Sequence, residues 1–207
     1  MYDLSPAELR VLGSLLEKQR TTPDAYPLTL NGLRAACNQS TNRDPVVRYD
    51  EETIRDALHQ LGKRRWTRLA SGHSSRAAKY RHLLEEEMRI GRDEQALLAV
   101  LMLRGPQTPG ELLQRSERLY HFATAAELHA VLDRLIEREL VVCLDRRPGQ
   151  REERYAHLLG GDVVEDEEAA FAAPPPVTRD DDRLDRIERE LAELRAQIAE
   201  LREALGA

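Results

Sequence analysis

"DEETIRDALHQLGKRRWTRLASGHSSRAAKYRHLL" (residues 50–84) and "TAAELHAVLDRLIERELVVCLDRRPGQREERYAHLL" (124–159) read as two versions of one pattern. Each opens on a residue suited to cap a helix, Asp50 or Thr124, because a short side-chain oxygen can accept from a free N–H of the first turn. Apolar residues follow at helical spacing: Ile54, Ala57, Leu58 and Leu61 map onto Leu128, Val131, Leu132 and Leu135 at a constant offset of 74. Two β-prone segments then flank a turn, rich in Ser and Gly in the first version and built on Pro148-Gly149 in the second. Lys79–Leu84 matches Arg154–Leu159 at an offset of 75, so the chain contains an internal repeat.

Upstream of each version lie two more helices. Ser5-Pro6-Ala7-Glu8 is a capping box with proline at the first helical position, leading into a stripe of Leu9, Leu12, Leu15 and Leu16. A second helix is expected after Thr29, through Leu30, Leu33 and Cys37, with Asn38 as its C-cap. In the second unit Asp93 is expected to cap the first helix. Thr108-Pro109-Gly110-Glu111 and Thr124-Ala125-Ala126-Glu127 form capping boxes for the next two. The stretch around Tyr26–Leu28 adds a third small strand to the first hairpin. Three helices and a hairpin make the winged helix-turn-helix plan. The expected fold is mainly α with small β-hairpins: tandem winged-helix modules at residues 1–90 and 91–161. Each is small enough for its core to be marginal, so the two should pack together.

Beyond Gly161 the composition changes. Residues 162–182 are acidic and proline-rich and read as a disordered linker. In 183–205, Leu184, Ile187, Leu191, Leu194, Ile198, Leu201 and Leu205 alternate steps of three and four, the seam of a coiled coil. Across a parallel partner, Arg183 meets Glu188 and Glu190 meets Arg195, both attractive pairings that favour self-association as a dimer. The competing reading is an amphipathic helix folded back on the modules.

Between the expected caps, 88 residues separate Ser5 from Asp93, 79 separate Thr29 from Thr108, and 74 separate Asp50 from Thr124. The first module therefore carries nine extra residues before its second helix (88 against 79) and five before its third (79 against 74). All lie in or beside "TTPDAYPLTLNGLRAACNQSTNRDP" (21–45), and additions to a rigid scaffold are where function tends to collect. Residues 15–45, "LLEKQRTTPDAYPLTLNGLRAACNQSTNRDP", resemble the signature of the bacterial YceH-like proteins, and the resemblance runs from residue 4 to about 160. It implies a pair of winged-helix modules in a cytoplasmic bacterial protein and brings no catalytic or binding residues with it.

The longest apolar run, "LLAVLML" (97–103), is far short of the ~20 residues a bilayer span needs, and the start "MYDLSPAELR" carries no export pattern. A cytoplasmic location is expected, with Cys37 and Cys143 reduced and buried. There is no phosphate loop, HExxH or Ser/His/Asp arrangement, and the six histidines are scattered. The expectation is a non-enzyme without cofactor or metal. His82 and His157 occupy equivalent positions of the repeat and are expected to be structural.

Net charge is −6, but residues 1–90 hold 15 Lys/Arg against 12 Asp/Glu, while 162–207 hold 6 against 14. Residues 57–84 hold seven cations and no acid. On the winged-helix plan the third helix enters the major groove and the hairpin touches backbone. That makes Arg55, His59, Lys63, Arg64, Arg65, Arg68, Arg76 and Lys79 candidates for duplex DNA, as in a transcriptional regulator or nucleoid-associated protein. Gln39, Asn42 and Arg43 of the inter-helix connection are added as outward-facing donors. Asp50, Glu51, Glu52 and Asp56 stand against this, because they would repel phosphates. The alternative function is a protein-protein interaction scaffold with a protein partner.

Overall fold

The computed structural model describes residues 2–70, 77–146 and 152–161. The tail, with the expected linker and the seam from Leu184 to Leu205, lies outside the described residues, as do Arg76 and the Pro148-Gly149 turn. The rest belongs to one compact unit, Met1–Val163.

Helix α1 (Pro6–Thr21) starts at Ser5, whose hydroxyl accepts from the Glu8 N–H at 3.3 Å while the Glu8 carboxylate accepts from the Ser5 N–H at 2.8 Å. Thr29 serves two elements. It ends strand β1 (Leu28–Thr29) and caps α2 (Leu30–Cys37) by accepting from the Gly32 N–H. Asp50 caps α3 (Glu51–Lys63). Strands β2 (Thr67–Leu69) and β3 (Lys79–His82) complete an antiparallel sheet in the order β1-β3-β2, with Leu28 opposite Tyr80 and Thr67 opposite His82. The second copy follows as α5 (Arg92–Arg104), α6 (Pro109–Ser116), α7 (Ala125–Glu137), β4 (Val141–Leu144) and β5 (Arg154–His157), and the last two pair antiparallel. The expected third strand of the first hairpin is present, and in the second copy its counterpart is a single bridge between Gln107 and Tyr155.

The repeat extends to individual backbone bonds. Trp66 N–H donates to Leu61 O and Leu140 N–H to Leu135 O. Leu83 N–H donates to Trp66 O and Leu158 N–H to Leu140 O. Between the third helix and the hairpin each copy places a non-glycine residue in the left-handed region, Arg65 at φ 63° and Glu139 at φ 54°.

Three expectations are corrected. The N-cap of α5 is Gly91, whose N–H donates to the Glu94 carboxylate at 2.7 Å; Asp93 lies in the first turn and pairs with Arg134. The interval between first-helix caps is therefore 86 residues, and the first copy carries seven additions before its second helix (86 against 79), not nine. A short helix, α4 (Leu84–Met88), joins the copies where the sequence suggested none. Cys37 is buried as expected, but Cys143 faces solvent on β4.

The two copies share one core. Every residue from Ala96 to Leu103 is buried, because α5 packs on α1 on one side and on its own copy on the other. That double burial explains an apolar run with no polar face. Leu12 and Leu15 of α1 and Leu97, Leu98 and Leu101 of α5 are fully buried, each contributing about 1.5–3 kcal/mol relative to exposure. Gly13 allows the close approach: a Cβ there would sit 3.0 Å from the Leu103 side chain and 3.2 Å from Met102 Cβ. Leu4 N–H donates to Leu159 O at 2.9 Å and ties the N-terminal segment to the end of the second hairpin. No helix among the described residues is long and apolar enough to cross a membrane.

Candidate nucleic-acid interface

The basic run folds onto one groove. Helix α3 supplies Arg55, His59 and Lys63, β2 supplies Arg68 and Leu69, and β3 supplies Tyr80, around an open space of about 710 Å³. One turn along a helix brings Arg55, His59 and Lys63 to the same face, and the hairpin closes its flank. The side chains of His59, Lys63 and Arg68 are exposed and make no hydrogen bond or ion pair among the described residues; the Arg65 side chain, in the turn after α3, is likewise exposed and unpaired there. Arg55 pairs with Glu51 at 2.8 Å, and Arg64 donates to the Asp3 carbonyl at 3.3 Å. Lys79 lies on β3, the central strand of the sheet.

The acids at the start of α3 are partly neutralised. Asp50 accepts from the Thr53 N–H and hydroxyl, which hold its carboxyl below the usual range. Glu51 is shared by Arg55 and, at 3.7 Å, by Arg34. Glu52 and Asp56 remain, and Asp56 lines the groove.

Asn38 caps α2 as expected, but Arg43, expected to face outward with Gln39 and Asn42, is placed differently. The Arg43 side chain is fully buried, and every N–H of its guanidinium has a partner. It donates to both Glu17 oxygens at 3.0 and 2.6 Å, to Ala36 O at 3.1 and 2.8 Å, to Asn42 O at 2.7 Å and to Gln39 Oε1 at 2.9 Å. Burial opposes ionisation of Glu17, but the hydrogen bonds and charge of Arg43 outweigh it and hold the carboxyl below its ordinary value. Asn42 sits at φ 58°, and its carboxamide oxygen accepts from Arg104 of α5. Asp44 N–H donates to Leu103 O at 2.8 Å. Asn38 caps α2 and exchanges two 2.8 Å hydrogen bonds with the Tyr49 backbone. Buried Arg10 donates to Cys37 O and Pro45 O.

The stretch is therefore a joint between the two copies. Arg43 has no donor left for a phosphate, and the carboxamide oxygens of Gln39 and Asn42 accept from Arg43 and Arg104. No local pattern distinguishes such a loop from a binding loop, because the partner that buries Arg43 lies 26 residues upstream.

The first half of the stretch packs on the sheet, as expected: the Tyr26 hydroxyl accepts from the His82 N–H at 2.9 Å. His82 is buried against Gln19, and burial pushes its imidazole down to about 4; burial does the same to His157. Among the described residues no group of three or more His, Cys, Asp or Glu is placed to hold a metal ion. Residues missed in the sequence are Leu69 and Val46, large apolar side chains left 59% and 56% exposed. Leu69 was legible as an outward position of β2, opposite Tyr80, while Val46 follows a proline in irregular chain.

The second copy repeats the backbone without the charge. At the register of Arg55, His59 and Lys63 it has His129, Asp133 and Glu137. Arg138, equivalent to Arg64, donates to Met88 O, Arg89 O and Glu94.

Residues 4–150 match the family described as "Protein of unknown function, DUF480". A UPF0502 protein of Solibacter usitatus (strain Ellin6076) is 46% identical over 201 residues, 97% of each chain. One from Pectobacterium carotovorum subsp. carotovorum (strain PC1) is 42% identical over 97% of this chain and 98% of that one. Another, from Pelobacter propionicus (strain DSM 2379 / NBRC 103807 / OttBd1), is 47% identical over 96% and 93%. The chain thus belongs to the DUF480 family, in agreement with the YceH-like resemblance of residues 15–45.

Proposed function

We propose that the chain is a tandem winged-helix protein that binds duplex DNA through the first copy, with α3 directed to the major groove and the β2–β3 hairpin to the backbone. One observation carries the reading: the acid-free segment 57–84 brings Lys63, Arg65 and Arg68 to the α3 end of the molecule with no carboxylate partner among the described residues. Unpaired cations of this kind release counterions from DNA, so affinity should fall steeply with salt. The segment 183–205, read as a coiled coil, would present two first copies to one duplex.

A second reading, docking of a protein partner, is favoured by Leu69, which is exposed in the same groove. The two differ in salt response. Gel retardation of a mixed-sequence duplex across a salt series should show binding by the full chain. Changing Lys63, Arg65 and Arg68 together to Gln should flatten the log–log salt slope by about one unit per lost phosphate contact. Absence of retardation at low salt, or a slope unmoved by the triple change, refutes DNA binding through this face.

A further inference from the structure

Away from the basic groove, four segments converge on a cleft of about 420 Å³ at the joint between the copies: α1, the 38–45 connection, α5, and α6 with the chain just after it. Its walls carry Arg104, Arg115 and Arg118, with Gln114 beside them and Leu103 and Leu119 as an apolar floor. The charges do not cancel inside it. Glu17 also lines the cleft, but both its oxygens are taken by the buried Arg43. The partner of Arg104 is the neutral carboxamide of Asn42. Arg115 pairs with Glu111 at 3.1 Å along α6, where both side chains stay partly exposed. Arg118 and Gln114 have no partner among the described residues. Burial, and after it the positive charges of Arg115 and Arg43, disfavour the charged form of Arg104, as expected where cations outnumber nearby acids.

We propose that this cleft binds a small organic anion bearing phosphate or carboxylate groups, held by Arg104, Arg115 and Arg118 with its carbon skeleton on Leu103 and Leu119. A planar guanidinium matches the paired oxygens of either group, and three of them with an amide can engage a dianion from several sides. The volume lies within the range of small-ligand sites. The cleft is made by both copies, so an occupant bridges Asn42 of the first with α5 and α6 of the second.

The test is calorimetric titration of the full chain at fixed ionic strength with pyrophosphate, citrate and adenosine monophosphate in separate arms. Saturable binding is expected from at least one, and the arm that binds separates phosphate from carboxylate recognition. Arg118→Gln, which changes an exposed side chain with no hydrogen bond or ion pair among the described residues, should weaken that binding about tenfold with an unchanged melting temperature. Arg115→Gln should weaken it similarly. Arg134→Gln, on α7 and paired with Asp93, should leave it unaltered. No binding of any probe up to about 10 mM overturns the proposal. So does binding that both cleft variants retain at full strength, which would put the anion elsewhere.

Discussion

Replacing Arg43 with Ala should destabilise the protein far more than a surface change. The substitution leaves the Glu17 carboxylate, 12% exposed, without its bidentate partner and removes the donors on Ala36 O. Breaking a buried ion pair by deleting one member costs about 3–5 kcal/mol; the residual exposure of Glu17 argues for the lower end, about 3. For a unit of this size that is roughly 10 °C in melting temperature. Urea unfolding followed by circular dichroism at pH 7 measures it directly. The Glu17→Gln, Arg43→Met double variant should lose clearly less than its singles combined, because neither charge is then stranded. The pH dependence adds a second signature. With its folded pKa depressed, wild-type Glu17 contributes stability that is complete above the unfolded value near 4.5 and is lost as pH falls through the folded value. In Arg43→Ala burial is opposed only by the weaker pairing with Lys18 at 3.4 Å, so that pKa rises from its wild-type value and the gap between the proteins should narrow in acid. A loss within about 0.5 kcal/mol at pH 7 would mean that Arg43 is not holding the joint.

His82 and His157 are kept neutral in the fold, so their contribution is complete above pH 6.5 and declines as pH falls toward about 4, because the unfolded chain binds protons first. The unfolding free energy should fall between pH 6.5 and 4.5 by up to about 1.4 kcal/mol per pH unit per histidine, and His157→Phe should halve the slope; a flat profile refutes it. By light scattering at tens of micromolar (~10⁻⁵ M) the full chain should have the mass of a dimer and a chain ending at Gly161 that of a monomer; one protomer per particle for both would remove the coiled-coil dimer.

What the sequence revealed is what local rules govern. Ser5, Thr29, Asp50, Thr108 and Thr124 each cap the helix their spacing indicates, because a cap needs only the next three residues. Gly91 was passed over for Asp93 because the reciprocal bond that selects it comes from Glu94, and a glycine cap announces itself only through that partner. Arg43 shows the limit more sharply. In "NQSTNRDP" it looks like one of several outward donors, and only the fold brings Glu17 against it. Both residues do lie inside the 15–45 signature, and a glutamate just past the Leu15-Leu16 stripe together with a lone arginine in the connection was the available hint.

The repeat separates what the backbone requires from what it leaves free. Arg65 and Glu139 hold the same left-handed turn with opposite charge, so neither charge is needed for that conformation. Arg64 and Arg138 both reach backbone carbonyls, so a long cation there has a structural use in each copy. At the exposed positions 59 and 63 the first copy has His and Lys where the second has Asp and Glu, over helices that bury the same register of apolar side chains. If positive charge on that face were only solvent dressing for the fold, the second copy shows that acids serve as well. Lys63 and Arg65 are thus not required by the fold, and unpaired cations there are what the proposed binding of an anionic partner through this face calls for.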